Sequence, residues 1–132
     1  MAQETVRYDA NEQPDAKAWL EIDEVERIDL IIAYHRHYHL PLGGSAKLHG
    51  MVHVIVENQV ALGDETVVPE TLARLIDEGL DRHDAVHAVG SILMGVIFDA
   101  VTKNDDGGGD LGAKYDRELA ALTAEGWRST EE

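Results

Sequence analysis

The sequence predicts an all-α protein, an antiparallel helical bundle of about five helices. Apolar residues recur with the 3.6-residue period of a helix, Gly and Pro separate these segments, and the connections are short. Short connections place consecutive helices antiparallel. The chain has 132 residues, which suits one domain with its own core. We therefore expect one helical domain over residues 14–127, a flexible segment over residues 1–13 and a tail over residues 128–132.

Local signals set the limits of the predicted helices. Pro14 suits the start of the first helix, and Pro41 follows its end. Asp81 and Asp84 have the spacing of a capping box at the start of the fourth helix. Gly126 is expected to end the fifth helix. The predicted ranges are 14–39, 46–62, 69–78, 81–103 and 110–125, with a glycine-rich loop over residues 104–110.

The composition excludes several kinds of site and partner. The chain has no cysteine, so disulfides, iron–sulfur clusters, zinc–thiolate sites and a cysteine nucleophile are excluded. Its formal net charge of -15 disfavours nucleic acid and anionic membrane surfaces as partners, because their phosphates repel an acidic protein. The start of the chain lacks the apolar segment of a signal peptide, and the apolar runs are short for a membrane span. A cytoplasmic location is therefore expected.

The most informative pattern is the spacing of histidines on two predicted helices. His49, His53 and Glu57 follow one another at intervals of four residues on the second helix, and His83 and His87 do so on the fourth. Side chains four apart lie on one face of a helix, so each group can converge on one point. The second segment is rich in β-branched residues, which would also suit a strand, but this repeat favours a helix.

These histidines share their helix faces with apolar and small residues, so we expect the faces to be buried. A buried cluster of imidazoles and a carboxylate is unfavourable unless its members bind one another or a metal. The residues expected on the two buried faces are His49, Val52, His53, Val56, Glu57 and Val60 on the second helix, and His83, His87, Gly90, Ser91, Met94 and Phe98 on the fourth.

A third group of histidines lies at the end of the first predicted helix. His35 continues the apolar face of this helix, and Glu24 lies on the same face three turns earlier. Either residue could complete the site or form a second one. The alternative is a polar helix end facing water, where histidines interact favourably with the helix dipole. We favour that alternative for His37 and leave both open for His35.

Together these patterns predict a metal-binding domain. His49, His53 and His87 are the expected ligands, and Glu57 and His83 are expected as further ligands or as catalytic groups. Imidazole and carboxylate donors fit a divalent ion, zinc or iron, with manganese as a further option. A zinc-bound water has a pKa of about 7 and supplies hydroxide, which predicts a small metal-dependent hydrolase of unknown small-molecule substrate.

Two alternatives remain open at this stage. In one, the histidines form a polar network or a structural metal site in a non-catalytic interaction module, with a homodimer formed through the apolar face of the fourth helix. In the other, iron bound by histidines and a carboxylate supports redox or oxygen chemistry. A closed site with four protein ligands would favour a structural role, whereas an open coordination position beside a pocket would favour catalysis.

Three segments resemble a bacterial family of small helical proteins known as a domain of unknown function, which has an LHxxxHxxxxEQ signature and a later histidine on a long apolar helix. The resemblance carries over His49, His53 and His87. The Glu-Gln of the family signature falls on Asn58 and Gln59 here, so Glu57 stands one place before the family's acid. The resemblance implies a helical fold and a metal site, and no reaction. The segments are LHGMVHVIVENQVA (48–61), HDAVHAVGSILMGVIFDA (83–100) and YDRELAALTAEGW (115–127).

Overall fold

The computed structural model describes residues 8–41, 45–102 and 111–131, apart from the side chains of residues 130 and 131. The described part contains helices and no strand, which confirms the predicted all-α class. Residues 1–7 and the glycine-rich loop predicted at 104–110 lie outside it. The helices are α1 (Ala16–Glu21), α2 (Glu24–His37), α3 (Ala46–Ala61), α4 (Val68–Asp77), α5 (Arg82–Thr102), α6 (Leu111–Ala121) and α7 (Ala124–Glu131), with a short 3-10 turn at Gly63–Glu65.

The first predicted helix is two helices in the structure, because the chain has a second capping residue. Ile22 takes an extended conformation after α1, and its backbone N–H bonds to the carbonyl of Trp19. The side chain of Asp23 then accepts a hydrogen bond from the backbone N–H of Val25, which starts α2. An N-cap of this kind satisfies a backbone donor that a continuous helix would satisfy itself.

The last predicted helix is also divided, and its predicted end is wrong. Gly126 lies inside α7 rather than after a helix. Thr123 interrupts the predicted helix, and its side chain caps the new helix α7 by accepting a hydrogen bond from the backbone N–H of Gly126. The backbone N–H of Ala124 donates to Glu78, which fixes the new helix to the end of α4. Trp127 then packs against the core.

The bundle is built around α3, which contacts α1, α2, α4 and α5. One apolar cluster joins α3 to α4, α5 and the last two helices, and α3 contributes Val56 and Val60 to it. A second cluster joins the N-terminal segment, α1 and α2 to α3 around Ile31 and Val54. Since both clusters share α3, the predicted histidine helices lie side by side, and α2 flanks them.

Part of the N-terminal segment, which was expected to be flexible, packs on the bundle. Tyr8 is 7% exposed and Ala10 is fully buried. Arg82 donates to the carbonyl of Ala10, and the backbone N–H of His83 donates to the side chain of Asn11. These contacts attach residues 8–11 to the start of α5.

The C-terminal half of α5 is more exposed than the sequence pattern predicts. Ser91 is exposed and Phe98 is 63% exposed, although both share a helix face with His83 and His87. Since α5 runs antiparallel to α3 and is longer, its last turns extend past the start of α3. By length and composition alone α5 could cross a membrane, a property it shares with core helices, and 39% of its most apolar window is buried. The predicted homodimer through this helix stays a prediction.

Candidate metal centre

The helix caps place the histidines where the three helices meet. Ser45 caps α3 by accepting from the backbone of Leu48, which puts His49 in the first turn. Asp81 caps α5 by accepting from the backbone of Asp84, as the sequence predicts, which puts His83 in the first turn. In each helix the second histidine follows one turn later. His35 comes from the last turn of α2.

The five imidazoles on these helices meet through their Nε2 atoms. Nε2 of His35 lies 3.2 Å from Nε2 of His83 and 3.1 Å from Nε2 of His49. Nε2 of His87 lies 3.2 Å from that of His49 and 3.0 Å from that of His53. The contacts form an unbranched series in the order His83, His35, His49, His87, His53.

Two of these rings carry their proton on the nitrogen that faces away from the cluster. Nδ1 of His35 lies 2.8 Å from the carbonyl oxygen of Ile31, which can only accept, so this nitrogen carries the hydrogen. Nδ1 of His53 lies 3.4 Å from the hydroxyl oxygen of Tyr8. That hydroxyl already donates to Glu57, so it accepts from His53. In their neutral forms both rings therefore direct an Nε2 lone pair into the cluster.

Hydrogen bonds alone cannot satisfy this cluster. An imidazole nitrogen has one hydrogen or one lone pair in the ring plane, so each Nε2 takes part in one good hydrogen bond. Five nitrogens used once each make at most two pairs, and the structure has four close contacts. The other two contacts are at best second arms of shared hydrogen bonds. Because Nε2 of both His35 and His53 carries a lone pair, at least one of the three contacts that link these two rings brings two lone pairs or two hydrogens together. An unsatisfied buried polar group costs about 1–3 kcal/mol.

A cation at the centre would remove this conflict, and four of the histidines lie close enough to hold one. The candidate ligand atoms of His35, His49, His53 and His87 all lie within 4.8 Å of one another. Nitrogens bound to one zinc at about 2.0–2.1 Å stand about 3.3 Å apart in a tetrahedron. The three close separations within this group of four are 3.0–3.2 Å. His83 is the fifth imidazole, beside His35 but outside the group.

Burial keeps the rings neutral, which is the form that binds metals. The pKa of His87 is lowered to about 3 by burial and then by His83, His49 and His35. The pKa of His83 is lowered to about 4, again by burial first. Burial also lowers the pKa values of His35, His49 and His53. Neutral imidazoles bind a cation without first losing a proton.

Glu57, predicted as a ligand or a general base, has other partners. Its two carboxylate oxygens accept hydrogen bonds of 2.8 Å from Arg82, and Tyr8 donates to Oε2 at 2.6 Å. Glu57 is 1% exposed and Arg82 is 8% exposed, so this is a buried bidentate ion pair. Burial and the charge of Glu57 raise the pKa of Tyr8 well above its usual value, so the phenol keeps its proton.

The structure brings together all the predicted histidines, His35, His49, His53, His83 and His87, and it holds Glu57 away from them on Arg82. Of the two residues considered on the first helix, His35 joins the cluster and Glu24 is exposed. His37 is exposed as expected. Sequence reasoning missed Tyr8 and Arg82. Nothing in the pattern could have identified Tyr8, because it precedes the first helix. A buried carboxylate such as that of Glu57 on an apolar helix face does need a positively charged side chain as its partner. This need is a signal that could have pointed to Arg82.

No protein-family model, no curated protein and no solved structure matches this chain.

Proposed function

We propose that this protein binds one divalent transition-metal ion between α2, α3 and α5, through Nε2 of His35, His49, His53 and His87. The observation that carries the proposal is the set of three Nε2 contacts that link these four histidines, in which hydrogen bonding leaves at least one repulsive contact. Four lone pairs directed at one cation turn repulsive contacts into ligand bonds. This argues against the alternative of a polar network without metal.

The donor set favours zinc among the metals expected from the sequence. All four donors are neutral imidazoles, which suit zinc, copper and nickel, whereas manganese prefers carboxylate and water ligands. The iron site that the sequence offers as an alternative needs a carboxylate ligand. The carboxylate of Glu57 is already bound by Arg82 through both oxygens, which disfavours this alternative. Zinc is also the ion commonly found in closed sites with four protein ligands, where it adds to folding stability.

A metal held in this way would tie together three helices that come from distant parts of the chain. His35 lies at the end of α2, His49 and His53 lie on α3, and His87 lies on α5. Four protein ligands make a closed site, which supports a structural role for the metal more than a catalytic one. We therefore place the stabilisation of the bundle first among the roles of the ion.

The test is elemental analysis of the purified full chain after loading with zinc and removal of excess metal. The His53→Ala, His87→Ala double variant removes two ligands. The matched control is the His37→Ala, His39→Ala double variant, which removes two exposed histidines from the same chain. We expect about one zinc per chain in the wild type and the control, and none in the ligand variant. Zinc retained by the ligand variant would exclude this ligand set.

A metal-dependent hydrolase is the second candidate function, and the position of His83 beside the group of four favours it. Its Nε2 lies 3.2 Å from Nε2 of His35, yet it stands outside the group of four. In this alternative, water would replace one of the four ligands on the ion, and His83 would act as the general base for that water, a role for which Glu57 is poorly placed because Arg82 holds it. His83→Ala should then keep its zinc and lose the hydrolysis of simple carboxylic and phosphate esters. Equal turnover by both proteins, or none by either, would remove this candidate.

A further inference from the structure

Tyr8 lies outside the group of proposed ligands, but its hydroxyl touches one of them. The phenol oxygen lies 2.6 Å from Oε2 of Glu57 and 3.4 Å from Nδ1 of His53. It therefore stands between a buried carboxylate and the far side of a ring that faces the cluster. The ring of Tyr8 also packs edge-on against His53, with centroids 6.2 Å apart.

The direction of these hydrogen bonds follows from charge. Glu57 is held by Arg82 through both oxygens, so its lone pairs can only accept. Tyr8 has a single hydrogen and donates it to Glu57. Its oxygen is then left as an acceptor, and the partner within reach is Nδ1 of His53. The series Arg82, Glu57, Tyr8, His53 has one consistent direction, and it ends by placing the His53 proton on Nδ1.

We infer that Tyr8 is a positioning residue for the metal site: it holds His53 in the tautomer whose Nε2 lone pair faces the ion. This inference rests on the proposed function. In metal sites the nitrogen remote from the metal is commonly bound to a carboxylate or carbonyl, and loss of that partner lowers metal affinity about 10–100-fold. In this protein a tyrosine stands between the histidine and the carboxylate.

The same contacts attach the N-terminal segment to the site. Arg82 also donates to the carbonyl of Ala10, and the backbone of His83 donates to Asn11. The segment that supplies Tyr8 is thus fixed at the start of α5, one turn from His87. The variant Tyr8→Phe removes the contact to His53 together with one hydrogen bond to Glu57, whose carboxylate stays paired with Arg82 through both oxygens.

The experiment combines two measurements on the full chain. Long-range ¹H–¹⁵N NMR of the metal-free protein reports which nitrogen of His53 carries the proton, with the resonance assigned from a His53→Gln spectrum. Competition with a chromophoric chelator gives the affinity for zinc. The matched control is Tyr115→Phe, which removes a phenol that donates to Gln59 on α3, away from the cluster.

We expect Nδ1–H at His53 in the wild type and a mixture of tautomers in Tyr8→Phe. Zinc affinity should fall about 10–100-fold in Tyr8→Phe and stay unchanged in Tyr115→Phe. A wild-type His53 protonated on Nε2 would overturn the inference even if Tyr8→Phe failed to fold. Equal zinc affinity of Tyr8→Phe and the wild type would also overturn the inference, but it would leave the proposed function intact. A wild type that takes up no zinc would instead overturn the proposed function, and the tautomer of His53 would still test the hydrogen-bond direction.

Discussion

Gly90 lies so close to Val52 that a β-carbon on the glycine would stand 2.7 Å from Cγ1 of the valine. This separation is too short for two non-bonded carbon atoms, so α5 and α3 touch at a point where any side chain larger than that of glycine forces the helices or Val52 to shift. Gly90 follows His87 by less than one turn, and Val52 precedes His53. The close approach of the two backbones is what lets the imidazoles on both helices meet.

Gly90→Ala should therefore push the two helices apart. Overpacking of a buried contact costs about 1–3 kcal/mol, and the β-branched Val52 has little freedom to move away. We expect a lower free energy of unfolding in urea and weaker zinc binding. Gly95→Ala is the control on the same helix, because a β-carbon there meets no atom within 4 Å. Alanine should leave stability unchanged or raise it by about 0.5–1 kcal/mol at that position. Equal behaviour of the two variants would refute a tight contact at Gly90.

Arg82→Met should destabilise the fold strongly. The substitution leaves the buried carboxylate of Glu57 with Tyr8 as its remaining side-chain donor. Removing one partner of a buried ion pair lowers the free energy of unfolding by about 3–5 kcal/mol. Lys114→Met is the control, because the side chains of the Lys114–Asp99 ion pair are 35% and 38% exposed and the pair is 3.7 Å long. Such a surface pair contributes at most about 1 kcal/mol. Urea unfolding at pH 7 measures both, and a small effect of Arg82→Met would contradict the burial of this pair.

The metal-free protein should lose stability as the pH falls below about 6.5, the usual pKa of histidine. In the folded state the pKa of His83 is about 4 and that of His87 is about 3. Between these values and 6.5 the unfolded chain binds more protons, so acid favours unfolding. The free energy of unfolding should fall by about 1.4 kcal/mol per pH unit for each extra proton bound. Urea titrations from pH 7.5 to 4 in a chelator test this, and a flat profile would mean that the histidines are not buried neutral.

Zinc should raise the thermal unfolding temperature, and manganese should do so less. An ion that binds only the folded state adds about 2.7 kcal/mol when its free concentration is 100 times its dissociation constant, which corresponds to several degrees. The imidazole donor set ranks zinc above manganese. Calorimetry with each ion in turn measures the shift, and the His53→Ala, His87→Ala variant should show none. An equal shift with manganese would indicate carboxylate ligands in place of this set.

Sequence periodicity was sufficient to predict the helices that carry the site, because the signals involved are local. The four-residue spacing on α3 and α5 fixes which side chains share a face, whatever the rest of the fold does. The cap at Asp81 is equally local and was predicted correctly. The breaks at Asp23 and Thr123 were missed because a side chain that caps a helix in one context faces solvent in another.

The sequence by itself determined the fold class and the face on which each histidine lies. Only the tertiary structure decided that His35 from α2 joins them, that Glu57 belongs to Arg82, and that Tyr8 reaches His53 from outside the bundle. Those three contacts join residues whose relative position depends on how whole helices pack. Helical spacing relates residues within one helix, whereas packing of side chains such as Val52 against Gly90 sets the distance between helices.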